Sequence, residues 1–204
     1  MILYHMSETL EEGKELTPDY KKNEYLIEPF VKALNVSVEM FQILMLNAEY
    51  FGSVLAKYDL TGMPSHEIKW GTEGLFEYVR RKEFPDHIGR IRCNYFYPDL
   101  KLCTELYNED WGEAPEEERA KIRLYEVDVE GRTAVYDMRL FDEAFEVLCE
   151  GSTTADDIEK CLDLARKYFR GEEGKEPVME ILSDGHAVVK RELDKDLLDI
   201  SQNQ

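Results

Sequence analysis

The sequence predicts an α+β fold, and three observations carry that expectation. Strand-like runs stand near the N-terminus, around residues 90–97, at 121–130 and near 180. Helical periodicity fills most of the space between them. The order is strand, helices, strand, helix, strands, helix and a final pair of strands. A doubly wound parallel sheet needs regular strand–helix alternation, so this irregular order disfavours it.

Residues 2–6 read as a short strand. Residues 7–23 are polar and carry Gly13 and Pro18, which predicts a loop. A helix is expected from Ser37, its N-cap, to Tyr58. Its inner face is Phe41, Leu44, Ala48, Phe51, Leu55 and Tyr58, at steps of three and four. Met40, Ile43 and Leu46 widen that face and predict a largely buried helix. A second helix covers Thr72 to Glu83, with Leu75, Phe76 and Val79 inward and Pro85 as its stop. The chain therefore reads as one domain over 1–204, with a mostly helical segment at 37–83.

"RIRCNYFYP" alternates and reads as a strand. Residues 99–107 suggest a short helix, and "EDWGEAPEEERA" an exposed acidic connection. "KIRLYEVDVEG" is strand-like and ends at a Gly131 turn. Tyr136 to Leu140 fits a strand and Phe141 to Leu148 a helical turn. Thr154 and Asp157 form a capping box ahead of Ile158, Cys161, Leu162, Ala165 and Phe169, with Gly171 as the C-terminal cap. "VMEILSDGHAVVKREL" reads as a hairpin turning at Asp184-Gly185, and the last ten residues as a frayed end.

Composition narrows the function. The chain has 204 residues, with 44 acids against 25 bases and a net charge of −19. Such a surface repels nucleic-acid phosphates and argues against general nucleic-acid binding. The best basic cluster is Arg80, Arg81, Lys82, Arg90 and Arg92, a candidate anion site in an acidic protein. No apolar run is long enough to span a bilayer, and no signal sequence opens the chain, so a cytoplasmic location is expected. Cys93, Cys103, Cys149 and Cys161 are widely spaced, which fits reduced thiols. The four histidines show no metal-ligand spacing, so no metal is expected. There is neither a G-x-G-x-x-G motif nor a Walker loop.

Glu180 is the most informative residue, because it interrupts the apolar strand "PVMEILS". A buried carboxylate is costly without a partner. Glu180 shares a strand face with Val178 and Leu182, which tilts it toward a cleft rather than solvent. A surface or salt-bridged glutamate is the plain alternative. Tyr4 and His5 end the first strand either as buried aromatics or as groups gripping a ribose or amide. Arg90 is either a solvated charge or a phosphate contact. Tyr95 and Tyr97 are either core aromatics or a stacking platform.

Together "LYHMS", "EEGKELTP", "EFPDHIGRIRCNYFYPDL", "LARKYFRGEEG" and "PVMEILSDGHAVV" resemble a bacterial family of uncharacterised proteins with the ADP-ribosyltransferase-like fold. The resemblance covers most of the chain outside 37–58. It implies split small sheets with a helical insertion, and NAD as co-substrate for transfer to a protein or nucleotide acceptor. It implies roles for His5 on an adenosine ribose, Tyr95 or Tyr97 on nicotinamide, and Glu180 on the nicotinamide ribose. Tyr4 would complete the cleft wall, and Arg90 would meet phosphate. Two residues depart from the pattern. Met6 stands where active members often have a small residue, and Val178 speaks against arginine modification. The competing reading is a catalytically inactive acidic interaction protein of the same fold, docking a basic partner through its −19 surface. A hydrolase built on paired carboxylates is a third class, but 44 acids make such pairs by chance.

Overall fold

The computed structural model describes residues 1–17, 20–46, 64–149 and 153–198. The chain forms two compact units, each assembled from separated segments. Unit 1 comprises residues 1–18, 93–135 and 178–204, and unit 2 residues 19–92 and 136–177. The helical part therefore extends well beyond the expected 37–83.

Unit 1 holds the strands. One antiparallel sheet has the order β1 (Ile2–Ser7), β3 (Arg123–Glu130), β6 (His186–Leu193). The other has the order β2 (Asn94–Phe96), β5 (Met179–Ser183), β4 (Thr133–Asp137), the last two residues of β4 opening unit 2. The class is thus α+β with two small antiparallel sheets, as the irregular element order predicts.

Alternation sorts side chains to two faces of the strands. Leu3, Tyr125, Val127, Val189, Phe96 and Ile181 form one buried cluster, closed by Leu10 from the loop after β1. That loop pairs along the edge of β6, with Gly13 N–H donating to Val189 and Leu16 N–H to Ala187. Opposite lies a second cluster of Cys103, Tyr107, Ile122, Leu124 and Leu198. Helix α4 (Leu100–Trp111) supplies Cys103 and Tyr107 to it and is capped by Asp99, whose carboxylate accepts the Leu102 N–H. Leu198 is fully buried at the end of a 3-10 turn, Lys195–Leu198, so the expected frayed end is ordered that far. The single turn α5 (Glu116–Arg119) sits in the acidic connection.

The expected hairpin at Asp184-Gly185 does not form. β5 and β6 belong to different sheets, and the two residues carry the chain from one to the other. The β3–β4 connection makes the reverse crossing at Gly131, whose φ of +109° suits glycine. Tertiary contacts, not local turn chemistry, decide this corner. Ser183 Oγ donates to the Arg132 carbonyl, and Arg132 pairs with Asp184. A Cβ on Gly185 would lie 2.0 Å from the Glu130 carbonyl oxygen.

Unit 2 is helical. Helix α1 (Tyr20–Val36) occupies part of the stretch expected to be loop. Its buried residues Ile27, Phe30, Val31 and Leu34 have helical spacing, but Pro29 inside the helix disguises it. Ser37 caps the next helix, α2, its hydroxyl accepting the Met40 N–H at 3.2 Å. α2 is described over residues 38–46, and the rest of the predicted run to Tyr58 lies outside the described residues. Phe41 and Met45 are buried, whereas Met40, Ile43 and Leu46 are exposed, contrary to the wider buried face expected. Helix α3 (Pro64–Glu83) buries Leu75, Phe76 and Val79 as predicted. β4 is followed by α6 (Arg139–Cys149) and α7 (Ala155–Phe169). The Thr154–Asp157 capping box is present, and Gly171 has the positive φ of a C-terminal cap. Phe76 of α3 packs edge-on against Phe141 of α6 and Tyr168 of α7, at 5.0 and 5.4 Å between ring centroids.

The corner between the sheets yields a test. Gly185→Ala must displace backbone, so it should cost about 2 kcal/mol or more, within the range of stored backbone strain. Urea unfolding of both proteins measures it as a lower midpoint at unchanged slope.

Candidate functional site

Among the described residues, one backbone bridge joins β1 to β2, and so links the two sheets of unit 1. Tyr4 and Tyr97 form an isolated antiparallel bridge, exchanging N–H to O=C bonds of 3.0 and 2.8 Å. On the far side of β1, Tyr4 pairs with Glu126. On the far side of β2, Tyr95 pairs with Leu182 and Phe96 with Ile181. Carried one residue onward, that register sets Glu180 beside Tyr97.

Residues directly opposite in antiparallel strands share a face. Tyr4, Tyr95, Tyr97 and Glu180 therefore lie on one face, with Leu182. Glu180 is 4% exposed, while Tyr95 and Tyr97 are half-buried. Tyr4 and Tyr97 pack at the margin of the Tyr107–Leu124 cluster. The arrangement brings two phenol side chains and a carboxylate to the line where the sheets meet.

His5 occupies the other face, because successive strand residues alternate. It pairs across the strand with Tyr125 and meets Phe96 edge-on at 6.0 Å. Its Nδ1 lies 2.8 Å from the Tyr95 carbonyl oxygen. A carbonyl only accepts, so Nδ1 carries the proton. His5 is half-buried as a residue, yet burial is the largest influence on its pKa and lowers it from 6.5. The hydrogen bond to Tyr95 offsets part of that. Tyr4 and His5 thus do not form one wall. The period of two was the signal that separates them.

Arg90 belongs to unit 2, in a 3-10 turn Arg90–Arg92. It is buried, not solvated. Its Nε donates to Glu73 at 3.2 Å, its Nη1 to the Tyr168 hydroxyl at 2.9 Å, and its guanidinium lies 4.0 Å from the Phe141 ring centre. Its neighbours in the basic cluster are also engaged. Arg80 and Arg81 both grip Glu77, Arg81 reaches Glu28, and Arg92 pairs with Glu24. Sequence reading did not single out Glu73 and Glu77. The signal was there, as two acids one turn apart beside Thr72, Leu75 and Phe76.

Two cavities lie away from these residues. One of about 420 Å³ in unit 2 is lined by Pro29, Ala33, Val36 and Met40, among others. The other, of about 400 Å³ in unit 1, is lined by Tyr107, Arg119 and Lys195 among others. Among the described residues no group of three His, Cys, Asp or Glu side chains is placed to hold a metal ion. No described helix is long and apolar enough to cross a membrane.

A family model described as "protein of unknown function", DUF2441, matches residues 3–195. The chain belongs to the DUF2441 family. No curated protein matches it. The DUF2441 match spans both units, so the bridge, Glu180 and the Arg90 pair all lie inside the family's own boundaries.

The lowered His5 pKa has a consequence for this DUF2441 chain. As pH falls below about 6.5 the unfolded chain takes the proton first, so folding stability declines with falling pH through the window beneath that value. His5→Asn removes the titration. The stability advantage of wild type over His5→Asn should therefore shrink between about pH 7 and about pH 5, read from urea midpoints at each pH.

Proposed function

We propose that the Tyr97–Glu180 face serves NAD-dependent ADP-ribosyl transfer. The observation that carries the reading is the buried Glu180 carboxylate on one face with Tyr4, Tyr95 and Tyr97, at the only bridge described between two small antiparallel sheets. A carboxylate inside an apolar strand is expensive unless its charge is used or paired. The resemblance to the ADP-ribosyltransferase-like fold supplies the class of chemistry.

In that reaction the bond between ribose C1′ and the nicotinamide nitrogen breaks, and its electron pair leaves with nicotinamide. C1′ becomes oxocarbenium-like and bonds to a nucleophile of the acceptor, which gives up a proton. A fixed carboxylate stabilises the cation as it develops. Glu180 takes that part, with Tyr95 or Tyr97 against the nicotinamide ring and Tyr4 at the rim. Val178, two residues before Glu180, speaks against arginine as acceptor. Arg90 takes no part in this reading, because Glu73 and the Tyr168 hydroxyl hold it inside unit 2.

A second reading has its own observation. Glu113, Glu116, Glu117 and Glu118 are all exposed in the connection after α4. An inactive acidic interaction protein would dock a basic partner there, and salt would weaken that complex steeply.

Nicotinamide release separates the two. Glu180→Gln keeps the shape but not the charge, so NAD binding should survive while turnover falls roughly a hundredfold or more. Paired nicotinamide-release and melting measurements on wild type and variant read both effects. Unchanged turnover in an active wild type removes Glu180 from the chemistry. A loss of about 3–5 kcal/mol of stability would instead mark a buried ion-pair member. A folded wild type that releases no nicotinamide leaves the interaction reading.

A further inference from the structure

The sheets part immediately beyond the Tyr4–Tyr97 bridge, and the pattern of hydrogen bonds says what holds them there. In an antiparallel ladder, residues that exchange bonds recur every second position. A ladder continuing from Tyr4–Tyr97 would next exchange bonds between Met6 and Tyr95. Among the described residues no such backbone pairing joins β1 and β2, and their ladder is limited to the isolated bridge. Tyr97 turns its N–H and C=O toward β1, so the Tyr95 C=O, two residues away, points the same way. His5 Nδ1 takes that carbonyl at 2.8 Å, and its ring closes on Phe96. An imidazole thus stands in the place of a backbone donor at the split.

We infer that His5 is a positioning residue, which clamps β2 to β1 through Tyr95 and so sets Tyr97 beside Glu180. It acts from the opposite face of the strands and through the main chain, by its Nδ1–H. The inference rests on the proposed ADP-ribosyl transfer for its link to chemistry, while the clamp itself rests on the backbone geometry. A part-buried backbone carbonyl costs free energy when a donor to it is removed, so the imidazole supplies at Tyr95 a donor that the β1–β2 ladder does not.

Three substitutions distinguish this role from ligand contact. The amide nitrogen of Asn stands as many bonds from Cα as Nδ1 does, and that of Gln reaches one bond further, toward the position of Nε2. Amide hydrogen exchange at Tyr4 and Tyr97, followed without NAD, reads the bridge directly. His5→Ala and His5→Gln should speed exchange at both amides by about tenfold or more, and His5→Asn should stay within about threefold of wild type. Nicotinamide release should follow the same order, with Asn restoring what Ala loses. Rescue by Gln and not Asn would overturn the inference, since His5 would then act through Nε2. Equal exchange in all four proteins would overturn it as well. If exchange follows the expected order while wild type releases no nicotinamide, the clamp stands and the ADP-ribosyl reading falls.

Discussion

Two hydrogen bonds between the Tyr4 and Tyr97 main chains are the constraint on which the strand-bearing unit depends. They bridge β1 of the β1-β3-β6 sheet to the residue after β2 of the β2-β5-β4 sheet. Everything about the candidate site follows from that register. It decides that the row of Tyr97 and Glu180 continues through Tyr4 toward Glu126, and that His5, on the other face, meets the Tyr95 carbonyl. At the opposite end, the chain crosses between the sheets twice. The Gly131 and Gly185 crossings pass so close that a Cβ on Gly185 would strike the Glu130 carbonyl. The sheets are thus tied by backbone contact at both places, with side chains filling the remainder.

The helical unit solves a different problem. It buries charge in a protein already rich in it. Glu73, Glu77 and Arg90 are each less than 10% exposed. Interior charges are tolerated when they are paired and their remaining hydrogen-bonding groups are satisfied. Arg90 meets this with Glu73, the Tyr168 hydroxyl and the Phe141 face, and Glu77 with two arginines from its own helix. Pairs of this kind add little net stability over apolar packing, but they specify one arrangement, since a shifted helix would leave a charge unpaired. The basic cluster that looked like an anion site is largely this internal network.

Legibility in the sequence followed the range of the interaction. The Thr154–Asp157 capping box, the Ser37 cap, the inward face of α3 and the strands β1 and β3 were readable, because caps and periodicities act over a few residues. Helix α1 was also local, but Pro29 outweighed the spacing of Ile27, Phe30, Val31 and Leu34. A proline is costly within a helix, yet the burial of those four side chains overrides that preference. At Asp184-Gly185 a correct turn signal pointed to the wrong partner. The dipeptide permits a sharp reversal, and Arg132 and Glu130, more than fifty positions earlier, decide where the chain goes next.

The candidate site divides along the same line. The sequence by itself determined an acidic α+β chain, picked out Glu180 as a carboxylate inside an apolar strand, and placed tyrosines in the strand before α4. These are properties of composition and of a period of two. Only the tertiary structure decided that β2 stands between β1 and β5, which brings Tyr4, Tyr97 and Glu180 into one row and sends His5 to the Tyr95 carbonyl. It also decided that Arg90 is an interior residue of the helical unit. Strand order and ion-pair choice depend on contacts between segments far apart in the chain, or on which of several acids lies nearest in space. Neither leaves a mark in local spacing.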